Sequence, residues 1–304
     1  ALTEVGVGVN AKKIQAYVEK DEEINCYRLF AEGAANKMYI TSAIHTGIMA
    51  IAARIGQGGK KIGLFIIELP KKDINNGEYS FNITSTNSDA FKSIHNTRLS
   101  FSNFPIPIEN EIDGDGVEVL FYCLRMGRCM LTAMCAGYQK MMAADSVNYA
   151  TKRLGVGGHI IKHELPRLRI GKMLGGALTS QALSHLSLSQ DKQGVDLAGL
   201  RDISKSFAAS SALESLVACE RVIGGRSFDQ SSRVTEARAN IHVFGIVEGE
   251  NDLILMGMIK DITSKFTTQN VASMLSVLQE ANMKNGVPVE KEERILKIDL
   301  KTFL

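Results

Sequence analysis

An unbroken helical period from Leu120 to Arg153 is the strongest constraint in this sequence. Leu120, Leu124, Gly127, Leu131, Met134, Tyr138, Met141 and Asp145 recur at three- and four-residue steps, the spacing that puts side chains on one helical face. The pattern follows the loop Asp113-Gly114-Asp115-Gly116 and stops at Gly155, with Gly157 and Gly158 beyond it. Two further long helices are predicted, over 163–189 and 197–223, the second ending at Gly224-Gly225. Shorter ones are predicted over 230–244 and 250–266. Long helices joined by short glycine-rich connections describe an antiparallel four-helix bundle.

The chain before this point has a different period. Short apolar or alternating runs fall at 14–18, 24–30, 38–41, 48–53, 62–69, 79–83 and 97–101. Turn signals such as Gly56-Gln57-Gly58-Gly59 and Asn75-Asn76-Gly77 separate them. Seven strands without intervening helices predict an antiparallel β-sandwich or barrel. Pro105 and Pro107 are read as its end, because proline cannot donate to a central ladder. The expected class is therefore α+β: a β domain over 1–112, a helical bundle over 113–267 and a C-terminal extension over 268–304.

Composition excludes several classes. A formal net charge of +2 argues neither for a nucleic-acid surface nor for an acidic tail, and no nucleic-acid partner is expected. No apolar run approaches the ~20 residues of a membrane span, so no transmembrane segment is expected. The five cysteines show no Cys-x-x-Cys spacing and read as free, mostly buried thiols of a reducing compartment. A soluble intracellular protein is expected, of the cytoplasm or the mitochondrial matrix. The start at Ala1, with no Met or signal peptide, reads as the interior of a longer polypeptide.

Most individual motifs have a plain structural explanation. Gly6-x-Gly8-x-x-Ala11 lacks the strand before and the helix after it that a dinucleotide fingerprint requires. Gly58-Gly59-Lys60-Lys61 lacks the Ser or Thr of a P-loop and reads as a turn. His159 and His163 have the spacing of a metal pair, with Glu164 adjacent, but no third ligand motif accompanies them, and no metal is expected. Lys152-Arg153 either complements a helix C-terminus or binds phosphate. Gly224-Gly225 is either a helix stop or a place where a cofactor approaches the backbone.

The stretch Phe244-Gly245-Ile246-Val247-Glu248-Gly249-Glu250-Asn251-Asp252 carries the same ambiguity. Its acidic residues suit the first turn of a helix. Alternatively, Glu248, between Val247 and Gly249, is a desolvated carboxylate whose pKa rises toward the range of a carbon-acid base.

In order along the chain, these pieces resemble the acyl-CoA dehydrogenase family. Ala1-Leu2-Thr3-Glu4 with Gly6 and Gly8 is similar to the family's Thr-Glu-Pro-x-x-Gly-Ser-Asp. Met38-Tyr39-Ile40-Thr41-Ser42 resembles Trp-Ile-Thr-Asn, and 101–110 with Asp115-Gly116 resembles Phe-x-x-Val-x-Val-Pro-x-x-Asn and the glycines after it. Tyr149-Ala150 and Arg153 resemble Tyr-Ala-x-x-Arg-x-x-Phe-Gly. Gly224-Gly225 and Val247-Glu248-Gly249 resemble Gly-Gly and Tyr-Glu-Gly-Thr. The resemblance implies an FAD enzyme that dehydrogenates an acyl thioester, with Glu248 as α-proton base and flavin N5 as hydride acceptor. Gly127 stands where some members place the base, so Glu248 has no competitor there.

Further roles follow from the resemblance alone. Thr3, Tyr39 and Thr41 would lie against the flavin, Arg153 would reach an FAD pyrophosphate across a subunit contact, and Gly224 and Gly225 would approach the adenosine half. Arg128 would lie near the base and, with Gly249, contact substrate. The implied partners are an acyl-CoA or acyl-carrier-protein thioester, an electron-transfer flavoprotein, and further copies in a homo-oligomer or a chain supplying the family's N-terminal helical domain. Departures are Val9 for Ser, Tyr39 for Trp, Val156 for Phe, Arg221 for Gln and Glu250 for Thr. They motivate two alternatives: an acyl-CoA oxidase or flavin monooxygenase of the same fold, and a non-catalytic homologue acting as a structural subunit.

Overall fold

Residues 1–8, 10–189 and 198–265 are described by the structure, a computed structural model. The extension over 268–304 and Val9 therefore lie outside the described residues. Residues Ala1–Ile254 form one compact unit, and a second begins at Leu255.

The alternating runs become β1 (Tyr17–Asp21), β2 (Cys26–Ala31), β3 (Lys37–Thr41), β4 (Ile48–Ile55), β5 (Ile62–Glu68), β6 (Ile74–Asn75), β7 (Ser80–Thr86) and β8 (Asn96–Pro107). They form one eight-stranded sheet of order β5-β4-β1-β2-β8-β7-β6, with β3 also paired to β8. The expectation of a wholly antiparallel sheet needs correction, because β1 and β4 pair parallel through Tyr17↔Arg54 and Val18↔Ile55. β4 reaches β1 after the chain has crossed to β3, and a crossover, unlike a hairpin, permits a parallel neighbour. Leu29, Phe65, Phe81, Leu99, Phe101 and Ile106 of four strands share one core, which the sandwich-or-barrel expectation anticipated.

The prolines also behave differently from expectation. β8 continues through both, with Arg28↔Pro105 and Cys26↔Pro107. β7 pairs β8 only as far as Ser102. Beyond that residue β8 is bonded on one side only, and proline is tolerated at such an edge.

Lys37 and Glu4 tie the sheet to the chain's first residues. Both side chains are fully buried, and Lys37 Nζ donates to Glu4 Oε1 at 2.7 Å and to the Ala52 carbonyl at 2.8 Å. Glu4 in turn accepts from the Gln15 and Ala16 amides at 2.6 and 3.1 Å.

The helices are α1 (Gly116–Lys152), α2 (Glu164–Ser189), α3 (Ala198–Ile223), α4 (Arg233–Phe244) and α5 (Asn251–Lys265). Asp115 caps α1, accepting from the Val117 and Glu118 amides. α1, α2 and α3 pack on one another, and α4 joins against α1 and α3. By length and composition α1 could cross a membrane, which corrects the expectation that no segment would pass that test. Here it is the helix the bundle is built on, and its buried face carries Arg128, Thr132, Gln139 and Ser146.

Helical periodicity over 197–223 would turn Ile203, Phe207, Leu213 and Leu216 toward a core, but of these only Leu216 is buried. Ile203, Phe207 and Leu213 of α3 are exposed, as are Leu165, Leu168 and Leu178 of α2. The packed face of α3 is built instead from Ser204, Lys205, Ala208, Ala209, Ala212, Ser215 and Cys219. Small residues let the helix backbones approach closely, and many of the large ones are left on the outer surface, while Leu216, Val222 and Ile223 of α3 stay in the core.

The Lys37–Glu4 pair yields a stability test. Lys37→Met strands a buried carboxylate and should cost about 3–5 kcal/mol in denaturant unfolding. The double variant with Glu4→Leu should lose distinctly less than the single, since no uncompensated charge remains.

Candidate active site

The turn after α4 sets Glu248 in an unusual backbone conformation. α4 closes at Phe244 with Gly245 as its cap, the Ile246 and Val247 amides donate to the Val243 carbonyl, and the Asn251 amide donates back to the Gly245 carbonyl at 2.9 Å. Within this closed loop Glu248 has φ +57° and Gly249 φ +105°. Left-handed φ costs a non-glycine residue about 1–3 kcal/mol, and such strain collects at functional sites.

The side chain then enters a space that α1 leaves open. A Cβ placed on Gly127 would lie 2.8 Å from both Cδ and Oε2 of Glu248. The helix has no side chain there, and the carboxyl occupies that volume. The capping role that the acidic stretch suggested falls to a different residue. Glu250 Oε1 accepts from the Asp252 amide at 3.1 Å and Oε2 from the Leu253 amide at 3.0 Å. Those bonds hold the Glu250 carboxyl below its ordinary pKa. Two carboxylates two residues apart thus have opposite environments.

Burial raises the Glu248 pKa above the ordinary carboxylate value, and the Arg128 and Lys205 cations only partly oppose it. Arg128 Nε donates to the Glu248 carbonyl at 2.9 Å, while Nη1 pairs with Asp202 of α3. Arg128 is only 7% exposed, so of the two residues expected at the substrate, Gly249 is the one that faces solvent. Lys205 of α3, 1% exposed, donates to the Gly249 carbonyl at 2.6 Å, Asn251 Oδ1 at 2.8 Å and the Gly245 carbonyl at 3.3 Å.

A second cluster lies on the sheet. The Met38 amide donates to the Thr3 carbonyl at 2.8 Å, lacing Thr3 alongside β3. Tyr39 has φ +58°, sits where the β3–β8 register shifts, and is 61% exposed. Thr41 is also exposed, with Asn96 beside it across the ladder.

The third cluster is a groove of about 730 Å³ at the far end of α1. Lys152, Arg153, Arg226 and Arg233 line it with Asn148, and Asp145 and Asp229 supply the opposing charge. Gly224 (φ +69°) and Gly225 open the 3₁₀ turn that follows α3, and nothing lies within 4 Å of a Cβ placed on either. The backbone is open to a ligand at this point. Arg153 lies beyond Arg128 by roughly 37 Å of helix axis, at 1.5 Å per residue.

Among the departures, Val156 is 93% exposed at the tip of a two-stranded hairpin, β9 (Leu154–Gly155) and β10 (Gly158–His159). Arg221 is exposed near the end of α3. Among the described residues no group of three metal-ligating side chains occurs, His159 and His163 included. Four of the five cysteines are buried, Cys123 being exposed, and all five are free.

Sequence reasoning missed Lys205 and Asp202. The available signal was a lysine in the run Ile203-Ser204-Lys205-Ser206-Phe207-Ala208-Ala209, where its face is otherwise small. That signal is visible only once Ile203 and Phe207 are known to point outward.

With this geometry in place, the matches to known proteins are specific. Residues 114–263 match the family described as "Acyl-CoA dehydrogenase, C-terminal domain". The helical part of the chain thus resembles the acyl-CoA dehydrogenase family, and the described fold as a whole is acyl-CoA dehydrogenase-like. The mouse acyl-coenzyme A oxidase-like protein is 23% identical over 313 residues, covering 90% of this chain and 49% of its own length. Rat mitochondrial very long-chain specific acyl-CoA dehydrogenase is 26% identical over 207 residues, covering 66% of this chain and 30% of its own. The structure of butyryl-CoA dehydrogenase from Megasphaera elsdenii superposes with a TM-score of 0.75 at 21% identity, over 84% of this chain and 65% of that one. The chain thus spans half or less of these two curated relatives.

The raised Glu248 pKa makes a signed prediction. A carboxyl raised in the folded state destabilises it once ionised, and that penalty is absent below the unfolded pKa. Glu248→Gln should therefore raise the melting temperature at pH 7, and the gain should shrink as the pH falls toward about 4 and be gone below it. A calorimetric pH series measures it.

Proposed function

We propose that this chain is the flavin-binding and proton-abstracting part of an acyl-thioester α,β-dehydrogenase. The observation that carries the reading is the Glu248 carboxyl, lifted in pKa and seated in the space that Gly127 leaves on α1. A carbon-acid base at neutral pH needs partial desolvation and a defined position, and this half-buried carboxyl, seated beside Gly127 with its pKa raised, supports that reading.

The residues present fit FAD. The groove offers Lys152, Arg153 and Arg226 to a pyrophosphate, and Gly224-Gly225 admits close backbone approach. Tyr39 offers an exposed aromatic face and Thr41 a hydroxyl, with Thr3 alongside. Bound FAD would supply the acceptor for the β-hydride. Glu248 takes the α-proton, and its own backbone N–H is the donor we assign to the thioester carbonyl, where charge builds as the proton leaves. Arg128 and Lys205 hold the loop through backbone carbonyls, so the carboxylate itself is not locked in a salt bridge.

Arg153 lies too far along α1 for its groove to serve the same dinucleotide as the Glu248 site. We therefore assign the groove to the cofactor of a second copy. The exposed Leu165, Leu168, Leu178, Ile203 and Phe207 offer apolar area for such an assembly. A CoA or carrier-protein thioester as substrate and an electron-transfer flavoprotein as acceptor complete the reading, in the cytoplasm or the mitochondrial matrix. The match to an oxidase-like protein over 90% of this chain favours, as a second reading, an oxidase in which oxygen reoxidises the flavin.

Anaerobic titration with an acyl-CoA series tests both. The flavin absorption should bleach with one range of chain lengths, and Glu248→Gln should slow bleaching by about 10²–10⁴-fold or more with FAD content unchanged. Unimpaired bleaching in that variant would move the base elsewhere. Peroxide formed stoichiometrically in air would select the oxidase. In a separate test, Arg153→Ala should weaken FAD retention without changing the bleaching rate of the flavin that remains.

A further inference from the structure

The buried ammonium of Lys205 has three acceptors, the Gly245 and Gly249 carbonyls and Asn251 Oδ1. An ammonium has three protons, so its donor capacity is fully used, and every acceptor belongs to the segment that carries Glu248. Asn251 extends the attachment, its Nδ2 reaching the Ser206 carbonyl at 3.4 Å. The same segment holds two left-handed residues in succession, Glu248 and Gly249. A strained turn persists only where its surroundings over-determine it. We infer that Lys205 is a positioning residue for the Glu248 base: its ammonium fastens the 245–251 loop to α3 and thereby keeps the carboxylate in the space beside Gly127. This inference rests on the reading of Glu248 as the base, and it adds a residue that touches neither substrate nor cofactor.

The charges facing Lys205 give the clamp a pH limit. Burial, and next Arg128 of α1, push its pKa down to about 8, while Cys135 of α1 and the Glu250 and Glu248 carboxylates act to raise it. Asp202, one turn earlier on α3, is engaged by Arg128. Above pH about 8 the amine loses a proton, and one of the three acceptors loses its donor.

The test compares the full-length protein, with any partner chain it requires, to its Lys205→Met variant. Amide hydrogen exchange across 245–251 reports the clamp without any need for turnover. We expect at least about tenfold faster exchange there in the variant, with α1 and α3 unchanged. Bleaching by acyl-CoA should slow by about 10²-fold, as for a misplaced base, with FAD content retained. Its pH limb should move upward, because the lost cation lowered the Glu248 pKa. Wild-type exchange in the variant loop would overturn the inference. A loosened loop in a protein whose wild type is never bleached would leave the clamp standing and sink the dehydrogenase reading. If Lys205→Met does not fold, the wild-type loop decides. Its exchange, corrected for the intrinsic pH effect, should rise through pH 8, and a flat profile overturns the clamp.

Discussion

The close approach of three helix backbones is the constraint on which the rest of this structure depends. Gly176 shows how close it is: a Cβ there would fall 2.4 Å from Gln139 Nε2 and 2.6 Å from Ser211 Oγ. Gln139 fills that seam, donating to Ser211 and Ser215 and accepting from Ser180. A polar group this deep is tolerable only because its hydrogen bonds are made inside the seam. The same thinness of side chain recurs at Gly127, where the missing Cβ is the volume the Glu248 carboxyl takes.

That constraint explains what the sequence disclosed and what it hid. Helix ends were legible because glycine and capping chemistry act locally, as at Asp115 and at the Gly155 and Gly224 stops. The Glu248 stretch was legible only as an ambiguity. Helix capping and desolvation ask for the same residue type, and the choice between Glu248 and Glu250 depends on Gly127, more than a hundred residues away. Lys205 was hidden for a related reason. Amphipathic reading assigns the large residues inward, but Ile203 and Phe207 face out and leave the small face, with its lysine, to the core. The strand pattern was legible in outline. It could not foresee that β1 would pair parallel with β4, since pairing partners are set by the path of the chain and not by alternation.

The three clusters of candidate residues differ in how they are built. The Glu248 loop is held by buried cations through backbone carbonyls, which fixes direction while leaving the carboxylate free to titrate. The Thr3–Tyr39–Thr41 cluster is fixed through the ladder and the buried Lys37–Glu4 pair behind it. The groove at Arg153 has exposed cations on helix ends, of which Arg233 is paired with Asp145, and an open glycine backbone. Precision is concentrated where a proton would move, and simple charge where an anion would sit.

The one-sided course of β8 past Ser102 bears on the behaviour of the chain at high concentration. A strand bonded on one edge offers its free edge to any other extended chain, and from there sheets grow between molecules. Pro105 and Pro107 are two residues apart, so their nitrogens point to the same side. The ladder to β2 continues past both, so that side is the free one. The open edge therefore lacks two of the donors an incoming strand would need, and the residues that looked like the end of the sheet guard it against aggregation.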